Sequence, residues 1–349
     1  MPGYFAAPVR RRVLTMLMLG AACVSVPLAA RGAEPLRVVV TFSVLGDMVR
    51  EIGGPDVAVA TLVGPDGDAH EYEPTPAAAR QLAGAAVLVE NGLGFETWLP
   101  RLAKAAGFAG RAVVASTGVA PRRLDAGAHG HADSHADGDG PAGKHEHDHG
   151  HDDHDHDHDH DDDDDHGHGH HHGDVDPHAW QSLANGALYA RNIAEGLAAA
   201  DPARGQAYRQ RAQAYIARIE TLDARIRASF AAIPAARRQV VTSHDAFGYF
   251  GDAYGVRFIA VAGISTDAEP SAADMARIIE QVRREQVPAV FVENITSPAL
   301  VRQIARETGA RAGGTLYSDA LAPPGQPAAT YLGMFEWNAR QLSAALQPQ

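Results

Sequence analysis

Short apolar runs rich in β-branched residues recur along this chain, each followed by a stretch with helical spacing. Continuous apolar strands that alternate with helices are typical of parallel sheets covered on both faces. We therefore predict an α/β fold in two lobes with mostly parallel sheets. The predicted strands are Leu36–Phe42, Val57–Val63, Ala86–Glu90, Arg111–Ser116, Gln239–Thr242, Phe258–Ala262, Ala289–Val292 and Ala312–Leu316. The predicted helices between and after them are 44–52, 75–82, 95–106, 246–254, 271–285, 298–308 and 328–346.

A long helical stretch joins the two halves. Between Pro202 and Ile233 there is no internal proline, and Gly205 is the only helix breaker. Apolar residues recur at intervals of three and four, which gives one apolar face. We predict a single bridging helix of about 45 Å, at 1.5 Å per residue, that limits hinging of the lobes. The alternative is a pair of helices broken near Gly205.

Most of the histidine and much of the acidic charge lie in one segment. Sixteen of the 19 histidines fall between His129 and His172, and residues 125–173 hold sixteen acidic residues against one lysine. The rest of the chain is near neutral, and no basic patch indicates a nucleic-acid partner. A segment of alternating His, Asp and Gly cannot bury a core, so we predict a disordered insertion.

The N-terminus has the three parts of a secretory signal peptide. Arg10–Arg12 precede an apolar stretch to Leu28, and small residues follow up to Ala33. A membrane anchor is the alternative, but the apolar stretch is short for a bilayer span. Cys23 is a second alternative as a lipidation site, although Gly20 stands where a lipobox has an apolar residue. We predict cleavage near residue 33 and a periplasmic protein without lipid, whose mature chain has no cysteine. Any metal must then be held by nitrogen and oxygen ligands.

The three histidines outside the insertion lie in loops at strand ends or helix starts. His70 follows the second predicted strand, and His244 follows the strand that ends at Thr242. His178 lies two residues after Asp176, which we interpret as a helix N-cap with Pro177 as the first helical residue. Open α/β sheets bind ligands in such loops, so all three are candidate ligands.

Five motifs make the chain resemble the metal-binding receptors of bacterial ABC importers, especially the zinc-uptake branch. They are His70-x-Tyr72-Glu73-Pro74-Thr75-Pro76, Asp176-Pro177-His178-x-Trp180, His244-Asp245-Ala246-Phe247-x-Tyr249-Phe250, Phe291-x-Glu293 and Tyr317-Ser318-Asp319. The resemblance implies two α/β lobes bridged by a rigid helix, with metal held in the cleft between them. It also implies four metal ligands, namely His70, His178, His244 and Asp319.

Three imidazoles and one carboxylate suit a tetrahedral Zn²⁺ site. Manganese prefers oxygen-rich shells, and family members that take it often carry glutamate at the position of His244. Affinity alone does not exclude copper or nickel. Glu73, Asp245 and Glu293 are candidates to orient the imidazoles through their second ring nitrogens, and each could equally be a cap or a surface carboxylate.

The resemblance implies a monomeric, non-enzymatic receptor that captures periplasmic Zn²⁺ and delivers it to an inner-membrane ABC permease. A manganese or iron receptor of the same family is one alternative. A zinc hydrolase is another, but four protein ligands close the coordination shell that catalysis needs open. The insertion could collect zinc, dock a periplasmic metallochaperone, or bind metal incidentally. The predicted division is 1–33 signal peptide, 34–200 first lobe with insertion 125–173, 201–233 linking helix and 234–349 second lobe.

Overall fold

The computed structural model describes residues 34–124, 175–266 and 270–347, together with Gly3 and Tyr4. Apart from those two residues, the predicted signal peptide lies outside this part, as do Cys23 and the predicted insertion. Among the described helices, none combines the length and apolar character that a bilayer span requires.

The first lobe is built on a parallel sheet of four strands. Its strands are β1 (Leu36–Phe42), β2 (Val57–Val63), β3 (Val87–Glu90) and β4 (Arg111–Val114), in the order β2-β1-β3-β4. Leu36 of β1 is paired with Val57 of β2, and Val38 with Val87 of β3. The residues of β1 from Val38 to Phe42 are all buried, because helices cover both faces of a parallel sheet.

The second lobe repeats this arrangement. Its strands are β5 (Gln239–Thr242), β6 (Arg257–Ala260), β7 (Ala289–Glu293) and β8 (Arg311–Leu316), in the order β6-β5-β7-β8 with parallel pairing throughout. In each sheet, the strand that comes first in the sequence (β1 or β5) therefore lies second in the spatial order, with a strand on either side. The predicted α/β fold with two parallel sheets is confirmed.

Helices connect the strands and cover the sheets. They are α1 (Ser43–Gly53), α2 (Pro76–Ala83), α3 (Leu99–Ala106), α4 (Leu183–Ala200), α5 (Gly205–Ala231), α6 (Gly248–Tyr254), α7 (Ala272–Glu285), α8 (Ala299–Thr308) and α9 (Tyr331–Leu346). Several begin where the sequence supplies a cap: Thr75 accepts from Ala78, Ser271 and Asp274 form a capping box, and Thr330 accepts from Gly333. The prediction of a helix from residue 95 was wrong for its first turn. Gly92, Leu93 and Gly94 have positive φ just before it, residues 95–98 are not helical, and α3 begins only at Leu99.

The linking helix is α5, which has 27 residues and so a length of about 40 Å. It is shorter than predicted at both ends: a 3₁₀ turn at Pro202–Arg204 precedes Gly205, and the helix ends at Ala231. Its buried face includes Ile219 and Phe230, both fully inaccessible to solvent. It is fixed to both lobes, since Arg211 donates to the Ile52 carbonyl in the first and Asp223 accepts from Tyr254 in the second. The helix therefore runs along the two lobes as a common support.

Candidate metal centre

The structure brings His70, His178, His244 and Asp319 together from four separate loops. His70 lies between β2 and α2, and His178 comes just before a 3₁₀ turn at Ala179–Gln181 that leads into α4. His244 follows β5, and Asp319 follows β8. Loops at the carboxyl ends of parallel strands meet at one edge of a sheet, which explains why His244 and Asp319, after β5 and β8 of the second sheet, lie close together. Each lobe thus contributes two of the four side chains.

The donor atoms face one another at close range. Nε2 of His70 lies 3.2 Å from Nε2 of His178 and 3.2 Å from Oδ2 of Asp319. Nε2 of His244 lies 3.1 Å from the same Oδ2, and Nε2 of His178 lies 3.6 Å from Oδ1 of Asp319. Ligands about 2.0–2.1 Å from a tetrahedral metal are separated by about 3.3 Å. The four side chains therefore enclose a space of the size that one first-row metal ion needs.

The four side chains are buried, and their charges are coupled. Burial lowers the pKa of His70, against the pull of Asp319, so this imidazole is neutral at pH 7. Burial also acts to lower the pKa of His244, but the carboxylates of Glu293 and Asp319 raise it well above its usual value. Burial acts to raise the pKa of Asp319, yet His244 and His178 hold it well below the usual range. In the metal-free protein a cationic His244 thus faces an ionised Asp319.

Oδ1 of Asp319 is left as a possible ligand atom in this cluster. The atom is buried, and no donor in the described part of the chain hydrogen-bonds to it. A buried carboxylate oxygen without a donor is costly unless a positive charge lies nearby. A metal ion between the three imidazoles would supply that charge. The donor set and the carboxylate therefore fit a divalent transition metal.

Asp176 orients the ring of His178. Its Oδ1 lies 2.9 Å from Nδ1 of the imidazole and accepts the backbone N–H of the same residue, also at 2.9 Å. An acceptor at Nδ1 keeps the proton on that nitrogen and leaves Nε2 free to bind metal. The interpretation of Asp176 as a helix N-cap with Pro177 in the first turn was wrong. The turn begins at Ala179, so the carboxylate bonds to the histidine instead.

Glu293 contacts the backbone and the ring of His244, as Asp176 does for His178. Its Oε1 accepts the backbone N–H of His244 at 2.9 Å, and its Oε2 lies 2.7 Å from Nδ1 of the ring. The second contact has the length of an ion pair. Of the three candidates for this role, Glu293 is in place. Glu73 is exposed to solvent.

Aromatic rings close the site off from water. Phe95 meets the ring of His70 edge-on at 4.8 Å between centroids, and Trp180 lies 5.2 Å from the ring of His178. The indole N–H of Trp180 and the amide of Gln181 both donate to the Ser318 carbonyl, at 2.9 and 2.6 Å. The loop that carries Asp319 in the second lobe is thereby tied to residues just after His178 in the first.

Comparison with known proteins gives this geometry a context. The sequence profile of the family described as zinc-uptake complex component A, periplasmic, matches residues 38–345. Among solved structures, the periplasmic zinc-binding protein TroA from Treponema pallidum is similar, with a TM-score of 0.74 and 27% identity. That similarity covers 90% of this chain and 100% of the other.

Two curated relatives carry names with other metals. The manganese ABC transporter substrate-binding lipoprotein PsaA of Streptococcus pneumoniae is 27% identical over 320 residues, 90% of each chain. The iron-binding protein YfeA of Yersinia pestis is 28% identical over 302 residues, which are 86% of this chain and 83% of the relative. Several relatives are named as lipoproteins, including an iron-transport protein of Streptococcus pyogenes, so the preference for a protein without lipid is not borne out.

Proposed function

Since the chain belongs to the family of periplasmic zinc-uptake components, we propose that it captures Zn²⁺ through His70, His178, His244 and Asp319. Members of this family are substrate-binding receptors of ABC transporters for metals and work with a membrane permease and an ATPase; they are not enzymes. The chain is therefore a metal-binding receptor of such a transporter. The proposal concerns which metal it takes and which side chains hold it.

The observation that carries the proposal is the composition and spacing of the buried cluster. Four of the atom pairs between the imidazoles and the carboxylate lie 3.1–3.6 Å apart, and one ligand atom from each of the four side chains lies within 4.8 Å of all the others. This donor set and these separations suit tetrahedral zinc, whereas manganese prefers more oxygen ligands and a larger coordination number. Asp176 and Glu293 support the assignment, because each holds the Nδ1 side of an imidazole whose Nε2 faces the cluster.

Four protein ligands also explain why such a site would bind metal for transport and would not use it in catalysis. Catalytic zinc keeps one coordination position open for water, and a closed shell removes that position. The aromatic rings of Phe95 and Trp180 exclude solvent from the same space. The zinc hydrolase considered above therefore has no support in the family or in the site.

The proposed partner is an inner-membrane ABC permease that receives the metal from a monomeric receptor. The segment at 125–173, with its sixteen histidines between His129 and His172, is proposed as an accessory collector of zinc. A periplasmic metallochaperone is a further proposed partner for that segment. Weak, interchangeable binding of zinc by this segment can be separated by experiment from binding at one tight site in the cluster.

Metal content tests the proposal directly. The full chain is expressed without added metal, and its zinc, manganese, iron and copper are counted by mass spectrometry. We expect one tightly held zinc that survives a competing chelator and is lost in His244→Ala. Glu73→Gln is the matched control, since this carboxylate is exposed and should leave the zinc in place. A wild-type protein without a chelator-resistant metal would contradict the proposed site.

A manganese or iron receptor is the second candidate, because the curated relatives include named manganese and iron binders. His244→Glu distinguishes the two, since it exchanges a nitrogen ligand for a hard oxygen ligand. If zinc is the cargo, this variant should bind zinc more weakly and manganese more tightly than the wild type. A wild type that already prefers manganese in a direct competition would favour the second candidate.

A further inference from the structure

Arg122 lies behind the cluster, on the side of Asp176 that faces away from the metal site. Its Nη1 is 3.3 Å from Oδ2 of Asp176, whose other oxygen, Oδ1, contacts the ring of His178. Asp176 is fully buried, whereas the Arg122 side chain is 26% exposed. A cation at the surface thus holds a buried carboxylate, and that carboxylate in turn orients an imidazole of the site.

The same arginine also reaches the second lobe. Its Nε lies 3.3 Å from Oδ2 of Asp252 on α6, and its backbone N–H donates to the hydroxyl of Tyr249 at 2.9 Å. That hydroxyl donates to the backbone carbonyl of Asp176 at 3.2 Å. Asp176 and Arg122 belong to the first lobe, and Tyr249 and Asp252 to the second. We call these four residues the Arg122 clamp. They connect the two lobes around Asp176, the residue that orients His178.

Gly248 leaves room for the clamp. A methyl group on this residue would lie 2.5 Å from Nη1 of Arg122 and 2.6 Å from Oδ2 of Asp176. Only a residue without a side chain allows the first turn of α6 to approach the ion pair so closely. The backbone reinforces the contact, since the N–H of Asp176 donates to the Arg122 carbonyl at 2.8 Å.

We propose that Arg122 is a positioning residue for metal capture, which fixes His178 through Asp176 and makes that orientation depend on contact between the lobes. The inference rests on the proposed function, because it assumes that His178 is a ligand. A planar guanidinium suits the task, since it can bind two carboxylates from different directions at once. Loss of a residue that orients a metal ligand typically weakens binding about 10–100-fold.

The experiment uses the full chain, with Zn²⁺ and Co²⁺ as the probes. Arg122→Gln should raise the zinc dissociation constant about 10–100-fold and alter the visible absorption of bound Co²⁺. Arg122→Lys keeps the charge without the two-sided geometry, so it should restore only part of the affinity. Asp252→Asn leaves the pair with Asp176 intact and should mainly accelerate metal dissociation, measured by stopped-flow with excess chelator.

Arg227→Gln is the matched control. Arg227 lines a surface pocket together with Arg122, Tyr249 and Asp252, but it binds Asp223 and the Ala253 carbonyl, so its loss should change neither affinity nor rate. Because Asp252 is 69% exposed, its variant tests the clamp even if Arg122→Gln does not fold. Wild-type affinity, spectrum and dissociation rate in Arg122→Gln, or a wild-type rate in Asp252→Asn, would overturn the inference. Absence of tight metal in the wild type would instead refute the proposed function.

Discussion

Metal binding should release a proton, and His244 is its source. In the metal-free protein the Glu293 and Asp319 carboxylates overcome the effect of burial and raise the pKa of His244 well above 6.5. The metal needs Nε2 without its proton, so binding must displace it. Burial lowers the pKa of His70, and the pKa of Asp319 lies well below its usual value, so at pH 7 the His70 imidazole is neutral, the Asp319 carboxylate is ionised, and neither supplies a proton.

The magnitude follows from this one proton. Below the raised pKa of His244, each pH unit should weaken binding about tenfold, which is about 1.4 kcal/mol. Between pH 6.5 and 5.5 we therefore expect the dissociation constant to rise at least tenfold. The effect on the metal-free fold has the opposite sign. A raised imidazole pKa stabilises the fold fully below pH 6.5, and this stabilisation is lost as pH rises through the folded-state pKa.

Calorimetric titration measures the proton directly. Zinc binding is followed at pH 6.5 in two buffers with different ionisation enthalpies, with a chelator that masks the weaker sites. The heats should differ by the amount expected for release of about one proton per zinc. His244→Gln binds less tightly, and whatever binding remains should lack that proton. Equal heats in both buffers, or a dissociation constant unchanged at pH 5.5, would refute the reasoning.

Three further changes test other parts of the structure. Asp319→Asn keeps the shape of the ligand but removes its charge, and should raise the zinc dissociation constant on the order of 100-fold or more in chelator competition. Burial raises the pKa of Glu96 from 4.5 to about 7, so this carboxyl destabilises the fold increasingly as pH rises through that interval, by about 3 kcal/mol. Urea unfolding of metal-free Glu96→Gln should vary correspondingly less between pH 5 and 8 than the wild type, and an equal variation would contradict this. Ile219→Ala removes a fully buried side chain from α5 and should cost about 2–5 kcal/mol of unfolding free energy, against less than about 1 for the exposed Arg225→Ala.

The sequence was sufficient to predict the fold class and the residues of the cluster. Apolar strands with intervening helices permit little besides parallel sheets, and parallel strands present their carboxyl ends at one edge. The loops with His70 and His244 follow such strands directly, so each lies at the carboxyl edge of its own sheet. Asp319 was identified only through the resemblance, because a single aspartate after a strand carries no signal of its own.

The contacts of Asp176 and Arg122 could not be predicted in the same way. The Asp176 carboxylate accepts the backbone N–H two residues further on. An aspartate makes this same bond as a helix N-cap and in the turn observed here, so the sequence does not distinguish the two structures. The contact with the His178 ring depends on a rotamer, and the clamp depends on α6 approaching from a segment more than 70 residues away. Such contacts are set by tertiary packing. The spacing of Asp176, Pro177 and His178 is the sequence feature that could have indicated a contact between the aspartate and the histidine.

The division of the proposed ligands between the two lobes has a consequence for metal release. His70 and His178 come from the first lobe, and His244 and Asp319 from the second, so separating the lobes splits the coordination shell into two pairs. Metal–ligand distances tolerate deviations of only about 0.2 Å, and a displacement of about 1 Å between lobes would therefore break two bonds at once. Helix α5 is fixed to the first lobe by Arg211 and to the second by Asp223, and these contacts oppose large hinge movements. If the four side chains bind the metal as proposed, a small relative movement is enough for release, and the Arg122 clamp, which contacts both lobes around Asp176, would be altered by the same movement.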